Sequence, residues 1–332
     1  MNRIYRLKVS REEEILILYN EIKTKLINTK IMTPYDVFNA LENAAIFNNR
    51  YLRSYIILMG KVIAEFNCKI YNQIFAYLLN KEHLLPQIYY DKFSIDFAKL
   101  DSKNYSTEIH QKNTIYRAIM DDDKRSFINF TLQGGFDEKQ RLKSELYPLF
   151  YRDFSLLELC CYYGAVDCFK YLISEFESEI TSECLQYAFL GGNSEILSEC
   201  LKYQKPDCIC MRFAIASHNI DYVSFLINEY NCFTQNEAYA EFHNLEAYFA
   251  YLLNSQNQSK FMMYFALFNI NIPSLFEYFL SHGLDLSHRD EYDQTILHLA
   301  VHYKSKAFAE FLISHGADVN AKDRFGGTAL NA

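Results

Sequence analysis

Hydrophobic side chains along the C-terminal two thirds of the chain return in blocks with helical, not strand, spacing. In TILHLAVHYKSKAFAEFLIS (295–314), Leu297, Ala300 and Val301 follow the i, i+3, i+4 rule. After a polar turn at Lys304 and Ser305, Phe308, Phe311 and Leu312 follow it again. The segment lies without a gap over SLLELCCYYGAVDCFKYLIS (155–174), with Ser or Thr first, Leu third and fifth, a small residue sixth and Leu-Ile-Ser last. A residue at the sixth position and an apolar one twelve later recur as Ala118/Phe130, Cys160/Leu172, Ala188/Cys200, Ala214/Leu226, Ala240/Leu252, Leu267/Phe279 and Ala300/Leu312. Successive units are 42, 28, 26, 26, 27 and 33 residues apart. A small residue in the first helix of a pair admits close approach by the second, whose large residue fills the groove. One pair cannot bury both of its faces, so the pairs must stack. The expected fold is an all-α solenoid.

Residues 1–105 lack the repeat but keep the helical period. Ile15, Leu18, Ile22 and Leu26 share one face of a helix expected over 12–28. Thr33-Pro34 is a helix start with proline at the first helical position, leading into Val37, Leu41, Ala44 and Ala45. Further helices are expected at 51–66 and 70–79, irregular chain at 86–103, and a loop or an extra helix in the insertion 134–154. The expected organisation is a helical N-terminal domain (1–105), short helix pairs (106–280) and longer regular repeats (281–332).

The tail carries a more specific pattern. SHGLDLSHRDEYDQTILHLA (281–300) aligns with SHGADVNAKDRFGGTALNA (314–332) at a period of 33, matching Ser281/Ser314, His282/His315, Gly283/Gly316, Asp285/Asp318, Asp290/Asp323 and Thr295/Thr328. Thr295, Leu297, His298 and Ala300 form a T-x-L-H-x-A core. These motifs resemble the ankyrin repeat. The resemblance implies that Thr295 caps a helix, that the His298 ring ties loops together, and that Gly283 and Gly316 terminate helices. Asp293 stands where an ankyrin turn usually has glycine, so a strained or altered turn is expected there. Asn331 takes the histidine slot, and the helix begun at Thr328 is expected to be frayed. The 26–28-residue units look like shortened ankyrin-type pairs. The whole arrangement is similar to protist ankyrin-repeat families that have a central segment of unknown function.

Composition narrows the function classes. Among 332 residues there are 27 Phe and 27 Tyr but only 10 Gly and 5 Pro, which excludes disordered and collagen-like chains. Apolar runs such as 55–60 and 261–270 are too short to span a bilayer. The opening MNRIYRLKVSREEE is too polar for a signal peptide, so a cytoplasmic or nuclear location is expected. The nine cysteines then read as small core or surface residues, without disulfides. Residues 1–112 carry 16 basic and 12 acidic side chains, and residues 113–332 carry 17 and 29. The larger part, at −12, lacks the basic footprint that nucleic acid requires.

Catalytic signatures are missing: no phosphate-binding loop, dinucleotide fingerprint, nucleophile elbow or H-E-x-x-H occurs. Cys160-Cys161 and Cys208-x-Cys210 lack zinc-ligand spacing, and Asp121-Asp122-Asp123 lacks the glycine and distal glutamate of a calcium loop. No cofactor or metal is expected. The resemblance instead points to a non-enzymatic scaffold or adaptor, monomeric, that binds a protein with a basic patch. Candidate contact residues are Glu291, Tyr292 and Asp293, then Arg324 and Phe325 one period later at the turn tips, with His302 and Tyr303 at the end of a first helix. Two other readings stand beside this one: a ubiquitin-ligase substrate adaptor recruited through 1–105, and an enzyme with an unrecognised N-terminal site.

Overall fold

The computed structural model describes residues 1–86, 97–148, 153–233, 237–254, 277, 280–281, 285–290 and 292–331. The backbone divides into two compact units, Met1–Tyr19 with Phe38–Thr234, and Asn20–Val37 with Gln235–Ala332. The fold is all-α, built of stacked helix pairs.

The first unit opens with α1 (Asn2–Tyr5), the start of α2 (Glu12–Ile22), most of α3 (Pro34–Phe47), α4 (Leu52–Phe66), α5 (Gln73–Lys81) and α6 (Phe97–Ser102). Four helix pairs follow: α7 (Ile115–Met120) with α8 (Lys124–Thr131), α9 (Leu156–Tyr163) with α10 (Val166–Phe176), α11 (Ser182–Gly191) with α12 (Ser194–Tyr203), and α13 (Cys208–Ala216) with α14 (Ile220–Tyr230). The first helices stack in succession, α7 on α9 on α11 on α13, while α8, α10 and α12 form a second layer. Cys160, Ala188 and Ala214 are fully or almost fully buried, as are their partners Leu172, Cys200 and Leu226. In the first pair the buried ring is Phe127, and Phe130 is only half-buried.

One local device closes the described pairs. Four residues after the small position the backbone turns left-handed, at Asp122, Gly164, Gly192, His218 and Lys304. The next residue starts the second helix, and Asp123, Asn193 and Asn219 cap it by accepting backbone N–H bonds on their side chains. In the 26–28-residue units the chain then passes within a few residues to the next first helix, capped by Thr181 or Asp207. At α9 the cap is reciprocal: the Glu158 amide donates to Ser155 Oγ at 3.2 Å, and the Ser155 amide donates to Glu158 Oε2 at 2.9 Å.

Packing between pairs is close where glycine permits it. A Cβ on Gly191 would stand 2.0 Å from the carbonyl oxygen of Cys161. Aromatic rings fill much of the remainder, with Tyr187 stacked on Phe213 at 5.5 Å.

The N-terminal helices join this stack through buried polar groups. Asn49, in the bend between α3 and α4, donates from Nδ2 to the Leu146 carbonyl at 2.9 Å and accepts from the Tyr163 hydroxyl at 2.9 Å. Its own amide donates to Tyr162 Oη, which donates to the Ile46 carbonyl. Arg50 donates to the carbonyls of Met120 and Tyr163. His110 completes the cluster at 2.7 Å from Tyr147 Oη, and burial pushes its imidazole down to about 4. Such groups must be hydrogen-bonded to be tolerated in a core. Of the two expectations for the insertion, a loop or an extra helix, the described part takes the loop, without a helix. Arg141–Leu142 and Phe154–Ser155 pair instead as a two-residue antiparallel ladder, β1 and β2.

In the second unit, Thr33 and Asp36 cap α3 reciprocally. The pair α15 (Glu237–Glu241) and α16 (Leu245–Asn254) is shifted by one residue from the sequence register. His243 holds the left-handed position, and the Asn244 amide donates to the Tyr239 carbonyl, as Ser305 does to Ala300. The small-residue slot is therefore taken by Tyr239, fully buried and stacked on Tyr251, whereas Ala240 is half-buried. The last pair is α17 (Ile296–His302) and α18 (Lys306–Ser314), with Leu297, Ala300, Phe308, Leu312 and Ala329 in its core. The pair Leu267/Phe279, Gly283 and Glu291 lie outside the described residues.

Candidate functional site: the turn tips of the tail

Two β-turn tips one period apart are built on the same hydrogen bonds. Asp290 Oδ1 accepts from the amides of Tyr292 and Gln294, each at 2.8 Å. Asp323 Oδ1 accepts from Phe325 at 2.9 Å and Gly327 at 2.8 Å. Each aspartate also donates its own amide across the turn, Asp290 to the Gln294 carbonyl and Asp323 to that of Gly327. Isolated antiparallel bridges, Arg289 to Thr295 and Lys322 to Thr328, close the two loops. An aspartate followed by turn residues folds this way because its carboxylate satisfies amides that no ladder can reach.

The two tips differ at the left-handed position. Gly326 adopts φ +80°, while Asp293 holds φ +59° at the equivalent place. A carboxylate side chain tolerates this conformation better than most, at some cost in energy. The turn at Asp293 thus keeps the geometry of its neighbour.

Below the tips, His298 is 1% exposed on α17. The Thr295 amide donates to its Nδ1 at 3.1 Å, and Thr295 Oγ1 lies 2.9 Å from the same atom. Accepting on Nδ1 leaves the proton on Nε2, which donates to the Gly327 carbonyl at 3.3 Å. The imidazole thereby links the start of one repeat to the turn of the next. Gly316, at φ +93°, follows α18, where the Ala317 amide donates to the Leu312 carbonyl. Thr328 sits in the second bridge, directly before the short turn Ala329–Asn331.

Adjacent tips are bonded to each other. The Arg324 amide donates to the Tyr292 carbonyl at 2.9 Å, and the Arg324 guanidinium lies 5.8 Å from the Tyr292 ring centre. Arg289, which sequence reading did not single out, donates to the carbonyls of Asp293 at 2.8 Å and Lys322 at 2.5 Å. Its only signal was a basic residue recurring 33 positions later as Lys322. Tyr292 is 49% exposed and Phe325 83%. His302 and Tyr303 are exposed at the end of α17, with their rings edge to face at 5.0 Å. Among the described residues, no group of three or more His, Cys, Asp or Glu is placed to hold a metal ion, and no helix is long and apolar enough to cross a membrane.

Residues 237–323 match the family model for ankyrin repeats (3 copies). The tail of this chain carries ankyrin repeats. Ahead of and overlapping the ankyrin repeats, residues 176–251 match a domain of unknown function (DUF3447), which covers α11 to α14 and most of the α15–α16 pair. Comparison with curated proteins finds no match. Ankyrin repeats are typically non-enzymatic modules of protein–protein interaction, and that general role is the one the tail supports.

Proposed function

We propose that this protein is a scaffold or adaptor that holds a protein partner against its tail tips, with Tyr292 and Phe325 as anchors. The observation that carries this reading is the exposure of two aromatic rings on turns that are otherwise locked. Arg289, Arg324 and the half-buried carboxylates of Asp290 and Asp323 fix the backbone, so little conformational freedom remains to be lost on docking. Exposed aromatics on a rigid frame are the residue type that dominates binding energy at interfaces. His302 and Tyr303 extend the surface toward the first helix. The −12 charge of residues 113–332 favours a partner with a basic patch, so association should slow as salt rises.

The test starts from a partner captured from native lysate and purified. Replacing Tyr292 and Phe325 by Ala should weaken its binding by roughly 1–3 kcal/mol. The double variant must retain its helical circular dichroism spectrum. Unchanged affinity in a folded double variant would remove the tips from the interface.

A further inference from the structure

Away from the tips, the first unit contains a cavity of about 230 Å³. Its walls are the segment after α1, the bend between α3 and α4, and the C-terminal ends of α9, α11 and α13. Three cations line it, Arg6, Lys8 and Arg50, and no Asp or Glu does. Arg6 and Lys8 are exposed, and among the described residues neither is held by a carboxylate. Arg50 spends hydrogen bonds on the carbonyls of Met120 and Tyr163, which fix its position without neutralising its charge. Asp221, the nearest acid in sequence to a wall residue, is not itself in the wall. Burial and the adjacent Asp221 raise the Tyr222 phenol, and Arg6, also within reach of it, opposes them.

All three cations come from residues 1–112, where basic side chains outnumber acidic ones by 16 to 12. The C-terminal carbonyls of the wall helices offset part of this positive charge, chiefly at Arg50, and leave Arg6 and Lys8 without a carboxylate partner among the described residues. The rest of the lining completes a recognisable chemistry. Asn48 is spent on the Leu7 carbonyl and Asn219 on capping α14, so the polar wall is rigid, while Phe47, Tyr51 and Tyr222 supply rings. A single carboxylate would balance one of the three cations. A phosphate monoester carries about −2 at neutral pH and offers three acceptor oxygens to forked and pointed donors together.

We propose that this cavity binds a small phosphate monoester, with Arg6 and Lys8 as the mobile contacts, Arg50 as the fixed one, and the aromatic wall against the organic part. The site is separate from the tail tips, so it stands or falls independently of the reading given above. Enclosure on several sides by three helix ends and two connecting segments suits a small molecule.

Calorimetry with the full chain tests the proposal, using phenyl phosphate as the probe, benzoate as a singly charged aromatic control, and a short phosphotyrosine peptide as a third arm. Saturable binding of phenyl phosphate is expected, at least tenfold tighter than benzoate, no weaker than the peptide, and falling with added salt. The variant R6Q/K8Q should bind at least tenfold more weakly while melting at an unchanged temperature. If that variant fails to fold, Lys8→Glu alone, at an exposed position, should show the same loss. Absence of saturable heat with phenyl phosphate, equal affinity for benzoate, or full binding by a folded R6Q/K8Q would overturn the proposal. A peptide binding more than tenfold tighter than phenyl phosphate would also overturn it, because the ligand would then be a phosphorylated protein.

Discussion

The short pairs α9 to α14 and the tail repeat at α17 and α18 share one core and differ in what connects it. Both use a buried small residue, a left-handed turn four positions on and an apolar partner twelve positions on, as in Cys160, Gly164 and Leu172 against Ala300, Lys304 and Leu312. After the second helix the short pairs have only a handful of residues before the next cap, Thr181 or Asp207. The tail spends 13 residues, from His315 to Gly327, between the end of α18 and Thr328. Those extra residues fold into the tip that Asp323 and His298 lock. The difference teaches that stacking needs only the helix pair, whereas the additional length builds a surface. Where the tip is absent, cohesion rests on glycine-mediated contact and a buried tyrosine cluster.

The largest effect should come from closing that glycine contact. Gly191→Ala sets a methyl group against the Cys161 carbonyl and forces α9 and α11 apart, at a cost of about 3 kcal/mol or more. Urea unfolding followed by helical ellipticity measures it. A loss below about 1 kcal/mol would mean that the short pairs are not held by close backbone approach.

Acid should act next, on a buried imidazole in each unit, since burial lowers both His110 and His243 to about 4. The folded-state value of His110, about 4, lies below the ordinary histidine value because burial penalises the charged ring. The unfolded chain therefore binds more protons between these values, and stability falls as pH drops from about 6.5 toward 4. The loss from His110 should reach about 2 kcal/mol, and His110→Gln should flatten its share of that part of the pH profile. Identical slopes for the two proteins would remove His110 as a source.

In the tail, His298→Ala leaves the Thr295 amide and the Gly327 carbonyl without their bridge. The expected cost is roughly 1.5–2 kcal/mol, and the amides of the Asp323 turn should exchange faster with deuterium. Exchange unchanged at that turn would show that Asp323 holds it unaided.

The smallest effect concerns the one tip residue that departs from glycine. Asp293→Gly should stabilise the protein by roughly 0.5–1 kcal/mol, since glycine adopts positive φ without a Cβ penalty. Gly326→Asp should shift the melting temperature the opposite way by a similar amount, which tests whether the two tips are interchangeable.

The sequence by itself determined the helix pairs and the tail period, because both are local. Spacing of Leu297, Ala300 and Val301 is a property of one helix, and Thr295-x-Leu-His-x-Ala is a cap and a core face read within six residues. Position 293 was visible as an aspartate in a glycine slot, although only the φ angle showed that the turn survives it. The fifth pair misled the reading: Ala240 fitted a small-residue column, but the turn at His243 places Tyr239 there. A column defined by residue size carries no direct information on where the backbone turns.

Contacts distant in sequence were left to the tertiary structure. Nothing near Asn49 or Arg50 announces that they meet Leu146, Met120, Tyr162 and Tyr163, up to 114 positions away. The convergence of Arg6, Lys8 and Arg50 on one cavity is likewise a product of chain folding, since charges 44 residues apart have no period to reveal them. Local periodicity records which face a residue takes, and only packing decides what that face meets.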